Sequence, residues 1–489
     1  MLKRLIPFAL LFLASPVLAD APQVVQQQVE ATLAAAPDGI RFGLLVVDES
    51  GKTVVAVNPD QRFIPASNTK MFTTAAAYAL LPGMDQPDAN GGTEVYLLPG
   101  KAKRAPNVLL VGRGDALMSS APDCTIDCLA ALADAVAART RQVGDVIGDD
   151  TRFPDQRWSP GMSWNNIGSN DATAASALSL DSNELTILAA PAARGEAPHL
   201  VIPAYVTVVN EAVTIDPGGK NTLALEHPVN SREFRLYGEI PSDTGEWNER
   251  IGVDDPAHFT AWTLAAMLRA RGVRVNGQVR SAHRPVNRID DPRWRDPAMT
   301  VAAPDADPAA TLARLVPPPL GEDVVIINKV SQNHHAEQLL RRIGSVHGLG
   351  SLQDGLAAEY DLFQRIGLPR AGYDFYDGSG MSTYNRVSPR AAVALLRWID
   401  GQPWAAAWYG SLPIAGRDGT LKRRFIGTPL EGNLAAKTGT LNATNALSGT
   451  FRTASGRRFV FAFFANDVPD GATALPTMEA VLARIATAN

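Results

Sequence analysis

Three short polar motifs, far apart along the chain, restrict its fold more than any other feature. They are Ser67-Asn68-Thr69-Lys70, Ser331-Gln332-Asn333 and Lys437-Thr438-Gly439. The first supplies a serine with a lysine three residues later, the second a hydroxyl and an amide, and the third a cation, a hydroxyl and a glycine. In this order they are the residue types needed for acyl transfer through a serine. A fold in which they act together must bring distant parts of the chain into one cleft.

Each motif alone is a weak signal, and their order carries the argument. A Ser-x-x-Lys arises by chance roughly once or twice in a chain of this length, and Ser163-Trp164-Asn165 is a second Ser-x-Asn. Ser67 or Ser331 taken singly would more often be a helix cap. Lys-Thr-Gly is rarer and occurs once. Because Ser163 lies in a loop rich in Trp, Pro and Gly with no helix after it, we assign the second motif to Ser331.

The sequence around the first motif predicts a serine at the start of a buried helix. Pro65-Ala66 interrupts the preceding segment, and Met71 to Leu80 is an apolar run typical of a helix that ends near Pro82-Gly83. Lys70 then shares a helix face with the serine. An exposed lysine is protonated at neutral pH. Lys70 can therefore act as a base only if burial or a positive neighbour, such as Lys437, lowers its pKa.

The second motif lies between an apolar run and a predicted helix. Val324 to Ile327 precedes it, and Ala336 to Leu340 continues the helical pattern. Ser331 and Asn333 are therefore expected at a turn that faces a cleft. His334-His335 follow directly, but adjacent histidines point in different directions on a helix and no Glu-x-x-His spacing accompanies them. The sequence predicts no metal site here.

The third motif is predicted to lie on a strand. Asn433 to Ala436 leads into it, Ala446 to Phe451 follows after a turn, and Arg458 to Phe464 forms a further apolar run. Turn residues between such runs are typical of antiparallel hairpins. Gly439 lets a ligand backbone approach closely, and the strand edge beyond it is able to pair with an extended peptide.

The strand patterns predict an α+β fold whose main sheet uses both ends of the chain. Phe42 to Val47 and Thr53 to Val57 form a hairpin just before the first motif, and the third motif has the same strand character. One antiparallel sheet with helices against it would unite the three motifs. The interval of 264 positions from Ser67 to Ser331 leaves room for an inserted region, which is too long for a structureless loop.

We divide the chain accordingly. Residues 1–19 are a signal peptide, 20–90 the first part of the main domain, 91–287 an inserted region of one or two mostly β subdomains, and 288–489 the second part of the main domain. The Pro/Arg/Asp-rich span from Arg284 to Pro297 is predicted to be the return linker. The inserted region is expected to position substrate rather than to perform chemistry, with the two chain crossings close together.

The N-terminus has the pattern of an export signal. Met1 to Arg4 is positively charged, Leu5 to Leu13 is apolar, and Val17-Leu18-Ala19 is a cleavage-type end. The apolar stretch is too short to span a membrane comfortably, so we predict an exported protein without a transmembrane anchor. In an oxidising compartment Cys124 and Cys128 favour a disulfide, although a spacing of four fits a distorted turn better than a regular helix.

Composition is that of a globular protein. Of 489 residues, 46% are hydrophobic and 19% charged, which argues against disorder. The net charge is −5, so the chain lacks the excess of positive charge that is typical of nucleic-acid-binding proteins.

Longer strings in the chain now show a family resemblance. The sequence resembles the class C low-molecular-mass penicillin-binding proteins, which are D-alanyl-D-alanine carboxypeptidases and endopeptidases. Besides the three motifs, the strings that carry the resemblance are Gly112-Arg113-Gly114-Asp115, Ser176-Ala177-Leu178-Ser179-Leu180 with Asn183, Asp377-Gly378-Ser379-Gly380-Met381-Ser382 with Asn385, and Leu412-Pro413-Ile414-Ala415-Gly416 with Asp418-Gly419-Thr420-Leu421. The resemblance implies a serine transpeptidase/β-lactamase-like domain interrupted by a large insertion.

It also implies a periplasmic enzyme that acts on peptidoglycan peptides, binds β-lactam antibiotics covalently and needs no cofactor. The implied catalytic residues are Ser67, Lys70, Ser331 and Asn333. The implied substrate-binding residues are Lys437, Thr438, Gly439 and Thr440, of which Lys437, Thr438 and Thr440 hold the terminal carboxylate. The backbone N–H groups of Ser67 and Thr440 are expected to form the oxyanion hole.

One departure from the family pattern is Asn165 and Asn166, which follow Trp164 where many relatives have an acidic residue. The role of that carboxylate is either vacant or taken by another residue such as Asp171. Two alternative functions stay open at this point. A β-lactamase would share the acylation residues and add fast deacylation. A non-catalytic peptidoglycan-binding protein would lack a motif residue, and here all are present.

Overall fold

The computed structural model describes residues 22–100, 104–296, 299 and 311–489. Its helices are α1 Pro22–Ala34, α2 Thr69–Leu80, α3 Leu129–Arg139, α4 Pro256–Ala270, α5 Leu320–Lys329, α6 Asn333–His347, α7 Leu352–Arg365, α8 Pro389–Asp400, α9 Ala405–Gly410 and α10 Leu475–Ala488.

The strands are β1 Arg41–Asp48, β2 Thr53–Val57, β3 Glu94–Leu98, β4 Asn107–Val111, β5 Gln142–Val143, β6 Val146–Pro154, β7 Glu184–Ala190, β8 His199–Val201, β9 Thr207–Asn210, β10 Val213–Ile215, β11 Ala224–Glu226, β12 Glu233–Tyr237, β13 Glu239–Pro241, β14 Trp247–Gly252, β15 Arg274–Val275, β16 Val279–Arg284, β17 Thr311–Arg314, β18 Tyr373–Asp374, β19 Arg386–Val387, β20 Leu434–Leu441, β21 Thr444–Arg452 and β22 Arg458–Asn466.

Both ends of the chain contribute to one five-stranded sheet, in the order β2-β1-β22-β21-β20. Every neighbouring pair is antiparallel, and β1 pairs with β22 over its full length. The predicted antiparallel sheet is therefore confirmed, and the predicted fold class with it. The strand of the third motif, β20, lies at the sheet edge, which leaves half of its backbone groups free of strand partners.

The alternation of side chains along β22 explains why this sheet has helices on both faces. Successive side chains on a strand point to opposite faces, yet all but the first residue of β22 are buried. Phe459, Phe461 and Phe463 pack into a core with α1 and α10. Val460, Ala462 and Phe464 pack into a second core with helices α2 and α5 to α8. The sheet is thus the middle layer of three, and its continuous apolar sequence follows from that.

The inserted region has a separate core and a separate sheet, in the order β16-β6-β4-β3-β17. The β4–β6 and β6–β16 pairs are parallel, while β3 pairs antiparallel with both β4 and β17. Helices α3 and α4 pack against this sheet through buried residues such as Leu132 and Leu264. Several sheets of two or three strands complete the region, so its described part is mostly β.

The pairing of β17 moves the predicted end of the insertion. Residues 311–314 form antiparallel pairs with β3, although the sequence division placed them in the second part of the main domain. We propose that the insertion extends beyond the predicted boundary at residue 287 and that the chain returns after Arg314. The N–H of Leu315 donates to the carbonyl of Thr93 at 3.0 Å. This hydrogen bond places the outgoing and returning chains side by side, as expected.

Two further predictions concern the ends and the cysteines. The predicted signal peptide, residues 1–19, lies outside the described residues. Cys124 and Cys128 form the predicted disulfide just before α3. Within the described ranges, no helix combines the length and the apolar character needed to cross a membrane.

Candidate active site

Ser67 lies in a tight turn that leads directly into α2. The turn, Ala66–Asn68, is a single 3-10 turn, and Ala66 has a φ of 46°. This left-handed conformation costs about 1–3 kcal/mol for a residue other than glycine and is typical of functional sites. The Nδ2 of Asn68 donates to the backbone carbonyl of Lys437 at 3.0 Å. The serine is thereby fixed against β20, with its own side chain partly exposed.

Lys70 is completely buried beside that serine. Its Nζ donates to the Ser67 Oγ at 2.9 Å, to the Asn333 Oδ1 at 2.5 Å and to the Ser379 carbonyl at 2.5 Å. An ammonium has three N–H donors, and these three acceptors occupy all of them. Burial lowers the pKa of Lys70 to about 7, although nearby carboxylates partly oppose the shift. A base with its pKa near neutrality is suited to taking a proton at pH 7.

The second motif connects α5 to α6 through a strained turn. Ser331 has a φ of 64°, which turns the chain sharply, and its Oγ accepts a hydrogen bond from the Lys437 Nζ at 2.9 Å. Asn333 is the first residue of α6. Its Oδ1 faces Lys70, and its Nδ2 donates to the backbone carbonyl of Asp171 at 2.8 Å. The inserted region thus supplies an acceptor that fixes the orientation of this amide.

Lys437 is as deeply buried as Lys70. Burial lowers its pKa well below the ordinary value, and the charge of Lys70 lowers it further. Besides Ser331, its Nζ contacts the carbonyl of Thr438 at 2.9 Å. The Thr438 hydroxyl lies 2.7 Å from the Thr420 hydroxyl. A substrate carboxylate at this point would raise the pKa of Lys437 again, because an opposite charge favours the protonated amine.

The backbone of β20 points alternate N–H groups toward the serine turn. The Leu434 carbonyl and the Ala436 N–H bond to the Pro413–Ala415 segment rather than to β21. By the two-residue period of a strand, the N–H of Thr440 also faces away from β21. A Cβ on Gly439 would lie 2.8 Å from the carbonyl oxygen of Pro65, so the two backbones touch. This geometry suits the predicted oxyanion pair of the Ser67 and Thr440 N–H groups.

A tight loop presents the Ser379 carbonyl to Lys70. The buried Asp377 carboxylate accepts hydrogen bonds from the N–H groups of Gly380 at 3.0 Å and Ser382 at 2.6 Å, and from the Asn385 Nδ2 at 2.6 Å. Burial raises the pKa of Asp377 to about 6. The Asp377 carboxylate therefore supports the shape of this loop.

The three predicted motifs meet in one cleft, and the structure adds groups that sequence reasoning missed. The Ser379 carbonyl and the Thr420 hydroxyl belong to strings that carried the family resemblance, but no role was attached to them. Asp171 was considered for its carboxylate, whereas its backbone carbonyl makes the contact. Ser163, from the other Ser-x-Asn string, lies outside this network, and its hydroxyl donates a hydrogen bond to the Asn165 Oδ1 at 2.5 Å.

The paired histidines of α6 have structural partners. His335 Nδ1 lies 2.6 Å from the Asp323 carboxylate, and His334 Nε2 lies 3.3 Å from the Asn183 amide. Burial lowers the pKa of His334 well below its ordinary value. Across residues 22–100, 104–296, 299 and 311–489, no group of three or more His, Cys, Asp or Glu side chains is arranged to hold a metal ion.

Comparison with known proteins gives the family. The model of the D-Ala-D-Ala carboxypeptidase 3 (S13) family matches residues 25–291 and 293–489. The chain belongs to this family. The predicted membership of the class C penicillin-binding proteins, and the hydrolase class that follows from it, are thereby confirmed.

Individual relatives agree in length as well as in sequence. A D-alanyl-D-alanine carboxypeptidase of Actinomadura sp. (strain R39) is 33% identical over 468 residues, which cover 91% of this chain and 82% of the relative. D-alanyl-D-alanine carboxypeptidase DacB of Haemophilus influenzae is 24% identical over 453 residues, covering 89% and 87%. The crystal structure of penicillin binding protein 4 from H. influenzae has a TM-score of 0.75 at 21% identity, covering 94% and 97% of the two chains. The fold, including its insertion, is thus shared.

Proposed function

We propose that this chain is a periplasmic serine D,D-peptidase that cleaves peptidoglycan peptides through an acyl-enzyme on Ser67. The observation that carries the proposal is the 2.9 Å contact between the Lys70 Nζ and the Ser67 Oγ, made by a lysine whose pKa burial lowers to about 7. A serine beside an unprotonated amine is an activated nucleophile.

In the acylation step, Lys70 removes the proton from Ser67 as its Oγ attacks the carbonyl of the penultimate D-alanine. The tetrahedral oxyanion is held by the N–H groups of Ser67 and Thr440. One such donor is typically worth roughly 10²–10³ in rate. Asn333 keeps the lysine amine aligned with the serine through its 2.5 Å hydrogen bond.

Collapse of the intermediate requires a proton on the leaving amine. The hydrogen bond between the Ser331 hydroxyl and the Lys437 Nζ supports Ser331 as the group that makes this transfer. Lys437 and Thr438 receive the terminal carboxylate of the substrate in a charge-assisted contact. The proton that Lys70 took from Ser67 passes by way of Ser331 to the leaving amine, which leaves Lys70 neutral again. Water then attacks the ester with Lys70 as base, and the proton taken from water goes to the Ser67 oxygen as the shortened peptide is released.

The finer assignments of place and substrate rest on the sequence and the family. The N-terminal export signal supports a periplasmic location, and the names of the relatives support a D-Ala-D-Ala bond as substrate. Penicillins fit the same chemistry because the lactam carbonyl mimics the peptide carbonyl while its leaving amine stays tethered.

Intact-mass analysis after incubation with penicillin tests the nucleophile. The wild type is expected to gain one penicillin mass that persists, whereas Ser67→Ala gains none; an adduct on the alanine variant would contradict the assignment. Rapid loss of the wild-type adduct with penicillin turnover would instead indicate a β-lactamase. Mass spectrometry of products from cross-linked and uncross-linked peptidoglycan fragments then separates endopeptidase from carboxypeptidase activity.

A further inference from the structure

A buried carboxylate, Glu337, holds the loop that contacts Lys70. It lies one helical turn after Asn333 on α6 and is 5% exposed. Its Oε1 accepts hydrogen bonds from the N–H groups of Gly378 at 2.9 Å and Ser379 at 3.0 Å. The carbonyl of that same Ser379 accepts from the Lys70 Nζ. The carboxylate therefore lies directly behind the backbone segment that faces the lysine.

The second oxygen of Glu337 connects to a different part of the protein. Its Oε2 accepts from the Ser159 Oγ at 2.9 Å and from the Arg341 Nη1 at 2.9 Å. Arg341 also donates to the carbonyl of Gln156 at 3.1 Å, so both contacts involve the inserted region. Burial alone would raise the pKa of Glu337, but Arg341 and the hydrogen-bond donors outweigh it and hold the pKa below the ordinary value. An ionised carboxylate is a pure acceptor, which fits its four donors.

We propose that Glu337 is a positioning residue for Lys70: it fixes the Gly378–Ser379 peptide so that the Ser379 carbonyl meets the lysine amine, and its negative charge favours the protonated lysine. The effect passes through the backbone, because Glu337 has no direct hydrogen bond to Lys70 among the described residues. The inference rests on the proposed role of Lys70 as the base, and it adds a residue outside the three motifs to the acylation machinery.

The charges around Lys70 set the direction of the expected effect. Asp377, Glu337 and Asp171 favour its protonated form, whereas the positive charge of Lys437 opposes it. Glu359, on α7, is also fully buried, and burial raises its pKa well above the ordinary value, but it is not among the three carboxylates that act on Lys70. Removing the charge of Glu337 should therefore lower the pKa of Lys70, while replacing Glu359 should not.

The experiment compares acylation by a fluorescent penicillin from pH 5 to pH 9. Glu337→Gln keeps an acceptor oxygen but loses the charge. The acid limb, which is the part of the profile where the rate falls with falling pH, should therefore shift to lower pH by about one unit. Glu337→Asp keeps the charge but is too short to hold both N–H groups. Its acid limb should stay near that of the wild type, and its plateau rate should fall by roughly tenfold or more. Glu359→Gln is the matched control and should leave the limb in place.

Glu337→Gln also leaves Arg341 buried without its ionic partner, which lowers the stability of the protein. A second variant is therefore needed to separate this effect from the effect on Lys70. The double variant Glu337→Gln/Arg341→Met removes the pair together and should show the same shift of the limb. If the folded Glu337→Gln and double variants acylate more slowly but keep the wild-type limb, Glu337 has only a structural role and the proposal is overturned. A wild type without an acid limb near pH 7 would instead contradict the base assignment of Lys70, which is a different outcome.

Discussion

Replacing Lys70 by arginine keeps a positive charge beside Ser67 but removes the ability to take its proton. At its ordinary pKa of 10.5, about 0.03% of a lysine is unprotonated at pH 7. Burial lowers the pKa of Lys70 to about 7, which raises the unprotonated fraction to about half, a gain of about 10³ in reactive base. Because arginine stays protonated at any ordinary pH, Lys70→Arg should lose at least about 10³ in acylation rate.

The same reasoning fixes the pH dependence of the wild type. Lys70 gains a proton as the pH falls below about 7, so the acylation rate should drop about tenfold per pH unit on the acid side. Rates with a fluorescent penicillin between pH 5 and pH 8 measure this, and circular dichroism checks that the arginine variant is folded. A wild-type rate that is flat over this range, or an arginine variant within tenfold of the wild type at pH 7, would refute the assignment.

Three further outcomes follow from particular contacts. Lys437→Arg keeps a permanent cation for the substrate carboxylate and should retain appreciable acylation, which single-turnover rates would measure. Gly380→Ala should destabilise the protein by about 1–3 kcal/mol, because a Cβ at this position would lie 2.0 Å from the Ala66 carbonyl oxygen; thermal unfolding measures this. Gly427→Ala is the control, because Gly427 also has a positive φ but has open space around it. Two aspartates raise the pKa of His283 to about 10. The protonated histidine therefore contributes its full stabilisation to the folded protein below pH 6.5, and this contribution is lost as the pH rises through 10. His283→Asn should thus lower the free energy of unfolding more at pH 6 than at pH 10.

The parts of the fold that sequence reasoning predicted have strong local signals. The run from Arg458 to Phe464 is apolar at every position after the first because both faces of its strand are covered. The helix after Ser67 is mostly apolar, and Lys70 is its one charged residue. The three motifs use side chains whose chemistry is distinctive. The sequence was therefore sufficient to predict the lysines, the serines and the amide of the candidate site.

The parts that were missed depend on backbone groups or on distant pairing. A carbonyl such as that of Ser379 has no signature of its own, because every residue has one. The Thr311–Arg314 strand is four residues long and pairs with residues more than 200 positions earlier, so no local pattern marks it. Glu337 is one acid on an amphipathic helix, and only the tertiary structure places it behind the loop that faces Lys70.

These contacts also change the role expected for the inserted region. The sequence predicted a unit that positions substrate rather than performs chemistry. However, Asp171 of that region accepts the hydrogen bond that orients Asn333, and Ser159 binds Glu337. The first contact reaches Lys70 through Asn333, and the second reaches it through Glu337 and the Ser379 peptide. Excision would therefore remove part of the support of the base itself. The insertion is therefore better understood as a component of the active centre, and its loss should slow acylation by small and large substrates alike.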